Sequence, residues 1–139
     1  MFTNFIKVIL MNFTCKCGSN KDYSDCCGIY IDGLKLPETP EQLMRSRYTA
    51  YATANIDYIV KTMQGKPLEG YDRQDAALWA QKVVWQKLEV LNSTIQKDKG
   101  FVEFKAYYND ASQDIVLHEN SEFERKNGQW YYTDGQIIG

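Results

Sequence analysis

Apolar positions along this chain follow two different periods. Between Pro40 and Lys82 they recur every three or four residues, and from Val84 to Ile137 they largely alternate. The first period predicts helices. Leu43, Met44, Arg47, Tyr48 and Tyr51 share one face of a helix running from Pro40 to about Thr53. Thr39 is a suitable N-cap, Pro40 suits the first helical position, and Gln42 completes a capping box. A second helical stretch, Ile56 to Met63, follows a bend near Asn55. Gly65, Pro67 and Gly70 mark a loop, and Asp72 opens a third helix through Trp79 to about Lys82.

The second period predicts about four strands. Val84, Gln86, Leu88 and Val90 alternate with Trp85, Lys87, Glu89 and Leu91. A polar turn, Gln96 to Gly100, precedes Phe101 to Tyr108, and a loop, Asn109 to Asp114, precedes Ile115 to Arg125. Asn127-Gly128 is a hairpin signal, and the last strand runs from near Trp130 to about Ile137. The order implies an α+β fold, with about three helices packed on a curved antiparallel sheet that forms a cone. Ten Tyr, six Phe and three Trp suit such a curved, enclosing sheet.

Alternation in the third strand puts Leu117, Glu119, Ser121 and Phe123 on one face, with Val116, His118, Asn120 and Glu122 on the other. The first set is the more apolar and is expected inside. Glu119 would then need a partner, because an unpaired buried carboxylate is costly. Arg47, the one charged member of the apolar helix stripe, is the expected partner in an ion pair or hydrogen bond. Arg47, Tyr48, Tyr51, Trp79, Glu119 and Ser121 are the candidate pocket residues. Tyr58 and Trp130 are further aromatic candidates, although aromatic stripes at structural spacing are more often core. An arginine beside Glu119 favours a structural pair over a general base, because it lowers the carboxylate pKa. His118, the single histidine, points away from Glu119 and is expected at the surface.

The chain has 139 residues, 44% apolar content and a formal charge of −2, enough for one ordinary domain plus a small appendage. It is not polybasic. Lys16, Lys21 and Lys35 are the nearest approach to a basic cluster, which makes nucleic acid a weak possibility. Phosphate-loop, H-E-x-x-H and G-x-S-x-G signatures are missing. Residues 1–11 are apolar but too short to span a bilayer, and Lys7 interrupts them. They read as a dispensable extension with Met11 as the natural start. With no recognisable export signal, a cytoplasmic protein away from membranes is expected.

All four cysteines lie within thirteen residues, as Cys15-Lys16-Cys17 and Cys26-Cys27. Four thiolates on one short segment can surround a tetrahedral metal ion, usually zinc, with iron as a possible substitute. Disulfides are the competing reading. Neighbouring cysteines pair only through strained rings, and crossed pairing needs an oxidising compartment. Gly18 and Gly28 stand where the backbone must turn closely, and Lys16 and Lys21 offset thiolate charge. Residues 29–38 read as a linker. A closed four-cysteine shell leaves no open catalytic position.

The run Cys15-Lys16-Cys17-Gly18-Ser19 through Tyr23 to Cys26-Cys27-Gly28 resembles the SEC-C motif, a zinc-binding module at the carboxyl end of the SecA translocation ATPase. The resemblance makes the four cysteines the metal ligands and packs Tyr23 over the knuckle. Met44-Arg45-Ser46-Arg47-Tyr48-Thr49-Ala50-Tyr51, Val102-Glu103-Phe104, His118-Glu119-x-Ser121-x-Phe123 and Gly128-x-Trp130-Tyr131-Tyr132-x-Asp134-Gly135 resemble the YchJ family, bacterial proteins that join this motif to a domain similar to nuclear transport factor 2. Many members carry a second cysteine knuckle at the carboxyl end; residues 28–139 contain no cysteine, so a role needing two such modules is not expected. The resemblance implies an extension at 1–14, a knuckle at 15–33 and the cone at 34–139. It implies no particular reaction. By module analogy the expected role is an adaptor whose knuckle docks on a protein or ribosomal partner in export or translation. The alternative is a small-molecule-binding protein or an isomerase- or dehydratase-like enzyme using Glu119 in the cone. Homodimerisation through the outer sheet face is possible in such folds.

Overall fold

The computed structural model describes residues 13–139. The apolar segment 1–11 that reads as an extension lies outside the described residues. The described residues begin with the cysteine segment, which contains a single 3-10 turn at Tyr23–Asp25 and a short helix, α1, at Cys27–Ile31. Three further helices follow: α2 Pro40–Ala52, α3 Ile56–Lys61 and α4 Arg73–Lys82. Four strands complete the chain: β1 Val84–Gln96, β2 Lys99–Asp110, β3 Gln113–Lys126 and β4 Gln129–Ile137. They form one antiparallel meander in the order β1-β2-β3-β4.

Local chemistry accounts for the helix starts. Thr39 Oγ1 accepts from Gln42 N at 3.1 Å. Gln42 Oε1 reaches one residue further back than a capping box requires and accepts from Glu38 N at 2.7 Å. Asn55 and Asp72 cap α3 and α4 in the same way, accepting from Tyr58 N and Asp75 N. Residues 29–38, expected to be all linker, instead begin inside α1.

The strands are longer than alternation suggested, because the turns are tighter. The expected loop Asn109 to Asp114 is a two-residue turn in which Ala111 and Ser112 have φ of 51° and 69°. Neither residue is the Asn or Gly that usually announces such a turn. The expected turn Gln96 to Gly100 also contracts, and Gly100 lies in β2. A Cβ on Gly100 would come within 3.1 Å of Pro40 Cβ, so the glycine lets the start of α2 press against the sheet.

Curvature comes from irregular register. Shifts occur in β1 between Trp85 and Lys87 and between Val90 and Asn92, and in β4 at Thr133, opposite the Glu122–Phe123 step of β3. Each bends and twists the sheet locally. The concave face carries Val102, Phe104 and Ala106 of β2, opposite Ser121, Glu119 and Leu117 of β3. Helix α2 lies across this face, with Leu43, Met44, Arg47 and Tyr48 buried. Backbone bonds from Tyr132 N to Thr62 O (2.8 Å) and from Gln64 N to Tyr132 O (3.0 Å) tie the end of α3 to β4. The buried core is continuous from Cys15, Cys17 and Cys27 through Leu43 and Ile59 to Phe123 and Trp130.

Candidate metal centre and cone cavity

The cysteine segment folds back on itself. Thr14 bridges Asp22, Cys15 N donates to Lys21 O at 2.8 Å, and Tyr23 N donates to Phe13 O at 2.7 Å. This brings Cys15 and Cys17 beside Cys26 and Cys27, with all four sulfur atoms within 4.8 Å of one another. A tetrahedron with metal–sulfur bonds of about 2.3 Å has sulfur–sulfur edges of about 3.8 Å. The Cys17–Cys26 separation is 3.6 Å, far beyond a disulfide bond. All four cysteines are free, and Cys15, Cys17 and Cys27 are buried. The donor set therefore fits one metal ion.

As bare thiols, Cys15, Cys26 and Cys27 are driven apart. Hydrogen bonds from Cys17 and Cys27 pull Cys15 far below the usual thiol value. Hydrogen bonding to Cys15 and Cys17, with burial, pushes Cys27 far above it, and burial raises Cys26. Cys15, Cys17, Cys26 and Cys27 would hold a metal ion as thiolates, the form a cation between them would favour.

The surroundings complete the centre. Ser19 Oγ lies 3.1 Å from Cys26 Sγ, and Thr49 Oγ1 lies 3.6 Å from Cys15 Sγ. Arg45 donates from Nη1 to Cys17 O at 2.9 Å and pairs with Glu41 through Nε at 2.9 Å. Tyr23 is buried and stacks on Phe13, with ring centroids 4.8 Å apart. Its ring fills the space that Gly28 leaves free, since a Cβ there would lie 2.7 Å from Tyr23 Cε2 and 2.6 Å from its carbonyl oxygen. Gly18 turns at φ 84°. Arg45 and Thr49 escaped the sequence reading. Their spacing of four places them on one face of α2, but nothing local says that this face meets the cysteines.

The opposite face of α2 looks into a cavity of about 320 Å³. Met44, Arg47, Tyr48 and Tyr51 line it from α2, Trp79 from α4 and Trp85 from β1. Phe104 and Ala106 form its β2 wall; Leu117, Glu119, Ser121 and Phe123 form its β3 wall. All six candidate pocket residues thus reach one cavity, and Met63, Tyr71 and Tyr132 join them. Tyr58 and Trp130 do not line it; both are core residues beside a groove near α1. Tyr51 and Tyr71 share a hydroxyl–hydroxyl bond of 2.8 Å. Trp79 and Trp85 pack edge to face at 5.2 Å.

The expected Arg47–Glu119 ion pair or hydrogen bond does not form. Arg47 Nη1 donates to Ile59 O at 2.9 Å and Thr62 Oγ1 at 2.7 Å, while Nη2 faces Met63 Sδ at 3.9 Å. Its guanidinium lies over the Tyr132 ring, 4.6 Å from the centroid. Glu119 Oε2 instead accepts from Ser121 Oγ at 2.5 Å and Tyr132 Oη at 3.1 Å. The α3–β4 junction places Tyr132 to serve both charged groups, a juxtaposition that strand alternation could not reveal. Burial, then the neighbouring Glu119, raises the Tyr132 pKa, which keeps its hydroxyl a donor. Gly135 permits the arrangement, because a Cβ there would lie 2.6 Å from Glu119 Oε2. His118 faces away and bonds Glu103 at 2.7 Å. Among the described residues no helix is long and apolar enough to cross a membrane.

Residues 39–135 match the family described as YchJ, middle NTF2-like domain, and residues 11–29 match the SEC-C motif. A UPF0225 protein of Vibrio parahaemolyticus is 39% identical over 127 residues, covering 90% of this chain and 75% of its own. A UPF0225 protein of a Shewanella species is 42% identical over 131 residues, covering 88% and 79%. The solution structure of a SEC-C motif containing protein from Rhodopseudomonas palustris aligns with a TM-score of 0.83 at 35% identity, over 91% of this chain and 100% of that one. The crystal structure of a SEC-C motif containing protein from Psychrobacter arcticus aligns with a TM-score of 0.79 at 32% identity, over 94% and 86%.

Proposed function

The chain belongs to the YchJ family, and from that premise we propose that it is a metal-stapled small-molecule-binding protein whose site is the cavity of the cone. The observation that carries this reading is an open, mainly apolar cavity in which Glu119 is free of Arg47. A filled cone would have favoured the adaptor. The size suits a small organic ligand, and a few convergent polar groups in an aromatic wall are the usual makings of such a site. The knuckle is the staple. Three of its cysteines belong to the core, and Cys17 is 0% exposed, so its ligands are spent on structure. The resident ion in this reading is zinc, the usual occupant of a closed four-thiolate shell, with iron as the competitor that metal analysis distinguishes.

A second reading keeps partner docking. Leu34 and Leu36 are 80% and 54% exposed beside a groove of about 270 Å³ next to the knuckle. Such a patch suits a protein partner, by analogy in export or translation, better than nucleic acid.

Binding of the dye anilinonaphthalene sulfonate to the metal-loaded protein tests the first reading. Leu117→Trp, which fills the cavity from β3, should abolish binding while metal content and melting temperature hold. Leu34→Asp with Leu36→Asp should leave it intact. Equal dye binding in the wild type and in a folded Leu117→Trp variant overturns the cavity reading. Dye binding lost only in the Leu34/Leu36 variant moves the site to the docking groove.

A further inference from the structure

The cavity holds an incompletely satisfied cation. Arg47 is 8% exposed, and no carboxylate lies within ion-pair distance of it among the described residues. The ionisable groups around it are tyrosines: Tyr51, Tyr132, Tyr71 and Tyr58. Burial alone lowers its pKa, yet a guanidinium stays charged at any physiological pH. Its donors are unevenly used. Nη1 spends both hydrogens on Ile59 O and Thr62 Oγ1, whereas Nη2 meets only a thioether, a weak acceptor. No oxygen acceptor from the described residues occupies the Nε–Nη2 edge. That edge is the fork that binds a carboxylate through two parallel hydrogen bonds.

We propose that the cavity takes a small monocarboxylate with an apolar, aromatic-sized body, its carboxylate held side-on by Arg47. The inference rests on the cavity reading and gives the ligand its chemistry. A buried guanidinium without a counter-ion is costly, and an anionic ligand compensates it where water is excluded. Trp79, Trp85, Phe104 and Leu117 supply the apolar wall for the body. Glu119 lines the same cavity beyond the Tyr132 hydroxyl. Its Oε2 already takes two donors, so it disfavours a second carboxylate and suits a ligand hydroxyl or amine.

Titration of the full-length, metal-loaded protein with 2-naphthylacetate and with its neutral amide, followed by tryptophan fluorescence, tests the assignment. The acid should bind about tenfold or more tightly than the amide, as a charge-assisted bidentate contact requires. Arg47→Met should erase the preference. Arg47→Lys, which keeps the charge without the fork, should weaken the acid more than the amide, and it decides the matter if Arg47→Met does not fold. Equal affinity for acid and amide in the wild type overturns the inference and leaves the cavity reading standing. A preference that survives in folded Arg47→Met, or a uniform loss with Arg47→Lys, also overturns it. Failure of both probes to bind the wild type removes the cavity reading together with this inference.

Discussion

The two faces of α2 serve opposite designs. On one, Arg45 and Thr49 brace a knuckle whose four ligands come from thirteen residues and whose sulfurs have turned inward. On the other, Arg47, Tyr48 and Tyr51 open onto a cavity assembled from residues up to Tyr132. The knuckle is local, closed and chemically complete. The cone is non-local and open, and it leaves donors on Arg47 unused. The difference teaches where function can reside. A saturated tetrahedral centre stabilises structure, whereas an apolar cavity with an unspent charge is suited to bind.

The largest break in this symmetry should come from removing the metal. Cys26→Ser with Cys27→Ser, or chelation of the wild type, should cost at least about 5 kcal/mol, since a structural zinc supplies roughly 10–16 kcal/mol in isolated fingers. Metal stoichiometry and thermal melting measure it. Because the cysteines share the core with α2, dye binding in the cone should fall too; an unchanged melting temperature with the metal gone would separate the two regions.

The regions should also respond to pH in opposite directions. Thiolates must stay deprotonated to hold a metal, so the knuckle should release it as pH falls. The cone should be alkali-sensitive. Burial pushes Tyr48 and Tyr58 up from 10.0 to about 12. Their unfolded forms ionise first, so the stability they contribute is complete below pH 10 and is lost as pH rises to about 12. The loss approaches about 2–3 kcal/mol for each tyrosine. Denaturant melts at pH 8, 10 and 12 with metal analysis resolve both directions.

Paired glycine substitutions sharpen the contrast between rigid and adaptable packing. Gly28→Ala drives a Cβ to 2.6 Å from Tyr23 O, a backbone atom, and should cost about 1–3 kcal/mol. Gly135→Ala meets the mobile ends of Glu119 and Tyr132, so it should cost less stability and disturb dye binding more. Denaturant midpoints and dye titrations compare them. The smallest effect is expected for Arg45→Met, which removes a hydrogen bond to Cys17 O without touching a ligand. Metal affinity should drop about tenfold, with a stability loss of about 1 kcal/mol. Competition with a chelator measures the first, and a denaturant melt the second.

Much of the molecule is legible in its residues, for physical reasons that differ by element. The four cysteines announce themselves because ligand spacing within thirteen residues is a local property. The helix starts at Thr39 and Asp72 are local as well, since a cap acts within one turn. The inward set Leu117, Glu119, Ser121 and Phe123 follows from a period of two that β3 keeps without an inserted residue, the bulge at Thr133 falling on its partner β4. Alternation fails in β1. It puts Trp85 and Leu88 on opposite faces, yet the register shift between Trp85 and Lys87 lets Trp85 line the cavity while Leu88 is buried in the core. The Ala111-Ser112 turn is illegible because its positive φ values are carried by residues that rarely adopt them.

The sequence by itself thus determined the knuckle, the order of helices and strands, and which side chains could reach the interior. Only the tertiary structure decided how the interior charges pair. Arg47 and Glu119 share a cavity, and the natural inference from burial cost was that they neutralise each other. The docking of α3 against β4 instead places Thr62, Met63 and Tyr132 around them. Tyr132 gives its ring face to Arg47 and its hydroxyl to Glu119. Partner choice among buried groups depends on distances of a few ångströms between distant segments, and sequence spacing carries no such distances.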